Sequence, residues 1–341
     1  MRAYERLIQY ARIHTASSEE GPYRVPSTER QFDLGRLLVQ QMQELGVTDA
    51  RIDEHCYVYG SLPATPGYEQ AKKLGFIAHM DTIPDFSGEN VQPTLVEKYA
   101  GGDIPLGSSG RVLSPKDFPS LDRMIGRTLI VTDGTTVLGG DDKAGVAEIM
   151  TLIERLQKEN LPHGPLGFAF TPDEEIGQGT DFFDVHAFGC DFAYTLDGGE
   201  EGEIEFENFN AASASFEIKG FNVHPGSAKN IMINAQLVAM EINGMLPAAE
   251  TPAHTEGYEG FFHLTDMEGN VEKASLHYIV RDHNAQRLEG RKATMELIEK
   301  TINEKYGPGT CLLTWKDGYR NMAKQIEPHR HLVDNAVEAI R

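Results

Sequence analysis

The fold of this 341-residue chain is indicated first by residues 74–81, which read Leu-Gly-Phe-Ile-Ala-His-Met-Asp. Residues 74–78 form a short apolar run of the kind that a buried strand requires. The run ends at two side chains that can carry chemistry, His79 and Asp81. Because open α/β sheets bind ligands at the carboxyl ends of their strands, this arrangement predicts a ligand site where the strand ends.

Two later apolar runs end in the same manner. Residues 167–170 are followed by Glu174 and Glu175, and residues 192–196 are followed directly by Asp197. Glu pairs are common in an acidic chain, and each one taken alone is more often a solvated surface pair. The repeated position after an apolar strand is what favours a shared site.

The remaining patterns predict the rest of the architecture. A capping box at residues 28–31 should begin a helix that ends at Gly46, and a second helix should run over 143–159. Strands alternating with helices predict an α/β fold with a mixed, mostly parallel sheet flanked by helices over residues 1–209. Residues 210–320 show the order strand, helix, strand, helix, strand, which predicts an inserted α+β sandwich. Residues 321–341 should return to the first domain.

The strands and helices on which this architecture depends can be stated by residue number. Strands are expected over 51–62, 74–78, 129–131, 167–170, 192–196, 211–219, 273–281 and 311–316, and helices over 231–246, 285–306 and 331–341.

Composition limits the partners. The chain has 31 Lys and Arg against 52 Asp and Glu, a formal charge of −21, which argues against nucleic acid and anionic membranes. Three widely spaced cysteines indicate neither a disulfide scaffold nor a thiolate zinc site. The first twenty residues lack the apolar core of a signal peptide, and no window is apolar enough to span a membrane. We therefore expect a cytoplasmic protein.

The polar residues that follow the strands form a candidate metal site. His79, Asp141, Glu174, Glu175 and Asp197 supply imidazole and carboxylate groups without cysteine, which suits zinc, cobalt or manganese. Asp141 stands where two glycines lead into a helix, so that residue taken alone could equally be a helix cap.

Two longer segments carry a family resemblance. Residues 112–119 read Val-Leu-Ser-Pro-Lys-Asp-Phe-Pro, and residues 132–145 read Thr-Asp-Gly-Thr-Thr-Val-Leu-Gly-Gly-Asp-Asp-Lys-Ala-Gly. With Pro-Asp-Glu-Glu-Ile-Gly at 172–177, they resemble the peptidase T family of cytoplasmic tripeptide aminopeptidases. That family belongs to the two-zinc exopeptidase superfamily, together with carboxypeptidase G and acetylornithine deacetylase. The resemblance covers the chain from its first helix to its last residue.

The resemblance implies a ligand set for two Zn²⁺ ions, with Co²⁺ or Mn²⁺ as other options. His79 and Asp197 are expected at the first metal, Glu175 at the second, and Asp141 between the two. Asp142 is then expected to be a helix-start residue or a residue that supports the ligands.

The resemblance also implies the catalytic and substrate-binding residues. Asp81 should orient the imidazole of His79, and Glu174 should act as the general base on a metal-bridging water. His224 of the inserted domain should stabilise the oxyanion, and Arg281 should bind the terminal carboxylate of the peptide. That domain is further expected to act as a lid or to form a homodimer.

One part of the family pattern is missing. Family members continue beyond the position of Arg341, and the continuation supplies a histidine that completes the second metal site. His329 and His331 are expected to be exposed and not to replace it. We therefore expect a truncated chain with a weakened second site. The open alternatives are a related dipeptidase, an N-acyl amino acid amidohydrolase, or a catalytically weak metal-binding or dimerising homologue.

Overall fold

The computed structural model describes all 341 residues, in two compact units that divide after Gly198. Each unit has its own buried apolar core. The first unit contains residues 1–198 and the second contains residues 199–341. The expected division into residues 1–209 and 210–320 remains a prediction, as does the return of 321–341 to the first domain; in the structure these last residues group with the second unit.

The first unit is built on a five-stranded mixed sheet in the order β1-β2-β8-β3-β9. Its strands are β1 (Arg51–Ile52), β2 (Val58–Leu62), β3 (Leu74–His79), β8 (Leu166–Thr171) and β9 (Phe192–Thr195). The central strand β3 pairs in parallel with β8 on one side and with β9 on the other, while β2 pairs antiparallel with β8. Parallel pairing brings the carboxyl ends of β3, β8 and β9 to one edge of the sheet, as the sequence predicted.

Helices cover this sheet. They are α1 (Ala3–Ala11), α2 (Gln31–Glu44), α3 (Gly140–Lys158) and the short α4 (Val185–Phe188). Apolar residues of α2 and α3 pack against Phe168 and Phe170 of β8 in the main core. Buried Arg6 of α1 donates to Glu154 of α3 at 2.5 Å, which joins the two helices by a charged pair.

The chain between β3 and α3 forms a small substructure of its own. It contains two antiparallel pairs, β4 (Thr94–Val96) with β7 (Leu129–Val131) and β5 (Ile104–Leu106) with β6 (Arg111–Leu113). A separate apolar cluster around Tyr99 stabilises them.

The second unit is an α+β sandwich, as predicted. Its antiparallel sheet has the order β11-β12-β10-β13, and its helices α5 and α6 pack against one face. The elements are β10 (Asn210–Lys219), α5 (Ala235–Met245), β11 (Phe261–Gly269), β12 (Lys273–Asp282), α6 (Ala285–Tyr306), β13 (Cys311–Asp317), α7 (Ala323–Ile326) and α8 (His331–Ile340).

Several local predictions were wrong. The capping box at residues 28–31 does not form: α2 begins at Gln31, Arg30 is its N-cap without a side-chain bond, and Thr28 donates to the Ala16 carbonyl instead. Tertiary partners compete successfully for these polar groups. The expected strand over 51–62 is two short strands joined by a turn in which Cys56 has a φ of 69°. Strand β11 was not predicted, because most of its residues are exposed and polar.

None of the helices combines the length and the apolar character needed to span a bilayer.

Candidate metal and catalytic site

His79 is the last residue of β3, and its side chain is 2% exposed. Its Nδ1 lies 3.2 Å from Oδ1 of Asp81, and its Nε2 lies 2.9 Å from Oδ1 of Asp141. The same Nε2 is 3.8 Å from carboxylate oxygens of Glu174 and Asp197. Nδ1 of the ring therefore faces Asp81, and Nε2 faces the carboxylates of Asp141, Glu174 and Asp197.

Asp81 is fully buried and connects the end of β3 with the turn that carries Glu174 and Glu175. Besides the His79 ring, it accepts the backbone N–H of Glu174 at 3.0 Å and that of Glu175 at 3.2 Å. These bonds use both carboxylate oxygens. Asp81 thus holds the ring and the Glu174–Glu175 backbone in a fixed relation, which is the geometry expected of a residue that orients a metal-binding imidazole.

Asp141 and Asp142 begin α3 with non-helical dihedral angles and take different directions. The Asp141 side chain is 71% exposed and turned toward His79. Asp142 is buried and accepts the backbone N–H groups of His79 and Gly145. Asp142 therefore supports the end of β3 and the first turn of α3, in agreement with the role expected for it.

Glu174 and Glu175 lie in a short 3₁₀ turn, Glu174–Ile176, shortly after β8. Asp197 follows β9, two residues after its end. One donor atom each from His79, Asp141 and Asp197 lies within 4.8 Å of the others. The parallel sheet thus brings together residues that are 118 positions apart in the sequence, from 79 to 197.

The pKa values of the acidic groups in this cluster and of His79 are raised. Partial burial raises the pKa of Glu175 to about 7, and the negative charge of Asp141 adds to that effect. Burial also raises the pKa of Glu174 and of Asp197, and it raises that of Asp142 to about 8. For His79, burial acts to lower the pKa, but the hydrogen bond and charge of Asp81, then Asp142 and Asp141, raise it to about 10.

These observations fit a bound cation. The two nitrogens of the His79 ring each face a carboxylate oxygen, one of Asp81 and one of Asp141. A divalent cation would bind on the Nε2 side of the ring and neutralise the crowded carboxylates. Nitrogen and oxygen donors without thiolates suit zinc, cobalt or manganese.

The other two predicted residues lie in the second unit. His224 is exposed, and its Nδ1 accepts the Gly226 N–H at 3.1 Å in the loop after β10. Arg281 lies on β12, where its Nη1 donates to the carbonyls of Ala212 and Val280 and its guanidinium covers the Tyr319 ring at 5.5 Å. Their expected roles stay predictions.

His329 and His331 are exposed, as expected. The structure places His329 at the end of a 3₁₀ turn and His331 at the start of α8. Their rings lie 6.2 Å apart in an edge-on arrangement.

Sequence reasoning did not assign roles to two buried polar residues beside the site. Lys143 is 2% exposed and donates to the Ile13 carbonyl at 2.7 Å, and burial lowers its pKa to about 7. Asp173, directly before Glu174, is fully buried. The sequence contained a signal for each of them. Lys143 is a charged residue in an apolar helical face, and Asp173 is next to the candidate catalytic residue Glu174.

The chain is similar in sequence and fold to several known proteins. Residues 206–310 match the family model of the peptidase dimerisation domain. A solved aminopeptidase from Bacillus cereus shares the fold with a TM-score of 0.72 and 22% identity, over 94% of this chain and 76% of the other. A Bacillus subtilis protein described as a dinuclear metal-binding peptidase of the M20 family has a TM-score of 0.54 and 13% identity, over 94% and 75% of the two chains.

Sequence comparison assigns the family. Peptidase T of an Exiguobacterium species is 52% identical over 339 residues, which cover 99% of this chain and 82% of the relative. Identity at this level over nearly the whole chain exceeds what a shared fold alone would require. The chain therefore belongs to the peptidase T family.

Proposed function

We propose that this protein is a metal-dependent aminopeptidase that releases the N-terminal residue from tripeptides. The observation that carries the proposal is the convergence of His79, Asp141 and Asp197 on one point, with a Glu174 carboxylate oxygen 3.8 Å from the same imidazole nitrogen. Family membership supports the choice of peptide hydrolysis among the reactions that such a cluster could perform.

The positions of the donor atoms support a proposed set of metal ligands. His79, Asp141 and Asp197 would hold a first zinc ion, and Asp141 with Glu175 would hold a second. When bound, zinc supplies a Lewis acid that polarises the scissile carbonyl and lowers the pKa of water to about 7. Asp81 keeps the His79 ring in place and, through the backbone N–H groups, directs Glu174 and Glu175.

Glu174 is the proposed general base. Its side chain is half exposed, so a carboxylate oxygen can accept the proton of the attacking water and pass it to the leaving amine. A raised pKa suits both steps, because the group must take up a proton and hold it until the amine departs. The neighbouring Glu175 is left to bind metal, since adjacent side chains of a turn diverge.

The second unit is proposed to complete the reaction. Arg281 has donors beyond the Nη1 that binds main-chain carbonyls, and these would bind the terminal carboxylate of the peptide. His224, exposed on its loop, would donate to the oxyanion. The match of residues 206–310 to a dimerisation domain supports a homodimer formed through this unit.

Two other enzyme functions use the same groups. A dipeptidase or an N-acyl amino acid amidohydrolase would need the same metal, base and carboxylate-binding arginine.

A catalytically weak metal-binding or dimerising homologue is favoured by one observation: the side chains form a single group of three close donors, which does not include Glu175.

One experiment separates these functions. The purified protein is saturated with zinc, its metal content per chain is measured, and it is assayed with a free tripeptide, the N-acetylated tripeptide, a dipeptide and an N-acyl amino acid. We expect release of the N-terminal residue from the free tripeptide alone. Preferred cleavage of the dipeptide or the acyl compound would contradict the proposal, and metal binding without any turnover would favour the weak homologue.

A further inference from the structure

The residue before the proposed base has an unusual combination of properties. Asp173 is fully buried, and its backbone adopts the left-handed conformation with φ 52° and ψ 29°. Non-glycine residues rarely adopt this conformation, and they do so where surrounding contacts hold them. Contacts that hold Asp173 therefore also fix the start of the turn that carries Glu174.

The contacts that hold Asp173 come from the start of α2. Its Oδ1 accepts Gln31 Nε2 and Ser27 Oγ, both at 2.6 Å, and its Oδ2 accepts the Ser27 backbone N–H at 2.6 Å. Its own N–H donates to Gln31 Oε1 at 3.2 Å. Gln31 therefore binds both the side chain and the main chain of Asp173, which only a side chain with a donor and an acceptor can do.

Gln31 has no capping function that would explain its burial. It is fully buried, yet α2 has no side-chain cap. Its amide nitrogen donates at 3.3 Å to Thr28 Oγ1 just before the helix, but its shortest bond, at 2.6 Å, goes to Asp173, a residue 142 positions later in the chain. Because a buried amide is costly unless it is bonded, this pairing must form for the region to pack.

The Glu174–Glu175 turn is thus held from two sides. Asp81 binds the N–H groups of Glu174 and Glu175, and the Ser27–Gln31 segment binds Asp173. The first contact ties the turn to the His79 ring. The second ties it to α2, which contributes no other residue to the candidate site.

We propose that Gln31 and Asp173 are positioning residues that fix the direction of the Glu174 carboxylate, with Ser27 in support. This inference rests on the proposed function, because it assigns to Glu174 the role of base. Displacing a catalytic group by about 1 Å is enough to lower a rate about 100-fold. Loss of the Gln31 contacts should therefore lower turnover more than it lowers substrate binding.

The test uses a matched pair of variants on the same helix, Gln31→Met and Gln41→Met. Gln41 accepts hydrogen bonds from Tyr10 and Arg6, away from the residues that bind Asp173. Both changes remove a bonded amide at similar volume, so a general effect on stability should appear in both. Ser27→Ala, which removes one bond to Asp173, is a milder variant in case Gln31→Met does not fold.

Three measurements are made on each full-length variant: the melting temperature, kcat and KM for a tripeptide, and hydrogen exchange of residues 174–175 in metal-free protein. For Gln31→Met we expect kcat to fall about 10- to 100-fold with KM changed by less than about threefold. Exchange of the Glu174 and Glu175 amides should rise about tenfold. Ser27→Ala should show the same pattern more weakly, and Gln41→Met should show neither change.

A kcat loss in Gln41→Met equal to that in Gln31→Met would overturn the proposal, as would unchanged exchange at residues 174–175 in Gln31→Met. The exchange measurement needs neither metal nor substrate. Absence of turnover in the unmodified protein would therefore count against the proposed function, whereas unchanged exchange would count against the positioning role.

Discussion

In the first unit, His79 and Asp81 are almost entirely buried and bond to each other, whereas His224 in the second unit is exposed and bonds only within its own loop. Both histidines are expected to serve one reaction. The difference fits their proposed roles: a metal ligand benefits from a rigid, buried support, whereas a group that contacts a substrate can be held by a local turn.

The two units also differ in their charge. The first gathers carboxylates around one imidazole, and burial together with the charge of Asp141 raises the pKa of Glu175 to about 7. In the second, the carboxylates of buried Asp282 and of Glu250 both contact Arg291, so that the chain itself supplies their cation. Crowded carboxylates without such a partner fit a cation site, whereas carboxylates that hold an arginine form a structural contact. The following predictions test this distinction, from the largest expected effect to the smallest.

The largest effect is expected from Glu174→Gln. Removing the base while keeping the size of the side chain should lower kcat by about 10²- to 10⁴-fold. Zinc content should stay unchanged, because Glu174 is not among the proposed ligands. Steady-state kinetics and metal analysis of the same sample check both points, and normal turnover would remove Glu174 from the mechanism.

Metal removal should affect the first unit alone. Zinc at 100 times its Kd should stabilise that unit by about 2.7 kcal/mol, because the metal binds the folded cluster and not the unfolded chain. Calorimetry with and without a chelator measures the shift. His79→Ala serves as the control, since it should abolish the shift; an equal shift in that variant would place the metal elsewhere.

Glu154, which contacts Arg6, Lys158 and the amino terminus, tests a carboxylate inside the first unit whose cations come from the chain itself. Glu154→Gln should lower the free energy of unfolding by about 2 kcal/mol at pH 7, because it leaves the buried Arg6 without a charged partner. Glu159→Gln, in an exposed pair with Arg155, should change the free energy of unfolding far less, because solvent screens that pair.

The pH dependence of this contribution has a defined sign. Lys158, and after it the amino terminus and Arg6, lower the pKa of Glu154 from 4.5 to about 2. The stabilisation is complete above pH 4.5 and is lost as the pH falls toward 2. Denaturant unfolding of the Glu154→Gln variant and of the unmodified protein should show that their difference in unfolding free energy shrinks from pH 5 to pH 3. A difference that grows toward low pH would contradict the assignment.

The smallest effect is expected from Arg281→Ala. Loss of a charge-assisted bond to the peptide carboxylate should lower kcat/KM by about 10- to 30-fold. The matched control is a tripeptide with a C-terminal amide, on which the variant and the unmodified protein should differ little. An equal loss on both substrates would mean that Arg281 acts through its bonds to Ala212 and Val280.

Most of the metal cluster could be predicted because each ligand follows an apolar strand or begins a helix. The runs before His79, Glu174 and Asp197 became β3, β8 and β9, with no end shifted by more than one residue. The predicted helix over 231–246 was less accurate, since α5 begins at Ala235 with an Asn234 cap. Strand β11 has few buried residues and therefore no clear pattern.

The contacts of Gln31 show where local reasoning fails. The pattern at residues 28–31 fits a capping box, yet the amide of Gln31 binds Asp173 instead. A local motif states which bonds a side chain is able to make. It does not include the energy of bonds to residues that arrive from elsewhere in the chain.

By itself the sequence determined which residue types stand at the strand ends, the alternation that makes an α/β first unit, and the family. Local periodicity and identity over the whole chain are sufficient for these. The tertiary structure alone decided that His79 faces three carboxylates, that Asp81 binds the Glu174–Glu175 turn as well as the His79 ring, and that Asp173 is held by Gln31 of α2. Except for the bond between Asp81 and the His79 ring, these contacts join residues 60 to 150 positions apart, so they exist only once parallel pairing of β3 with β8 and β9 has brought the strand ends together.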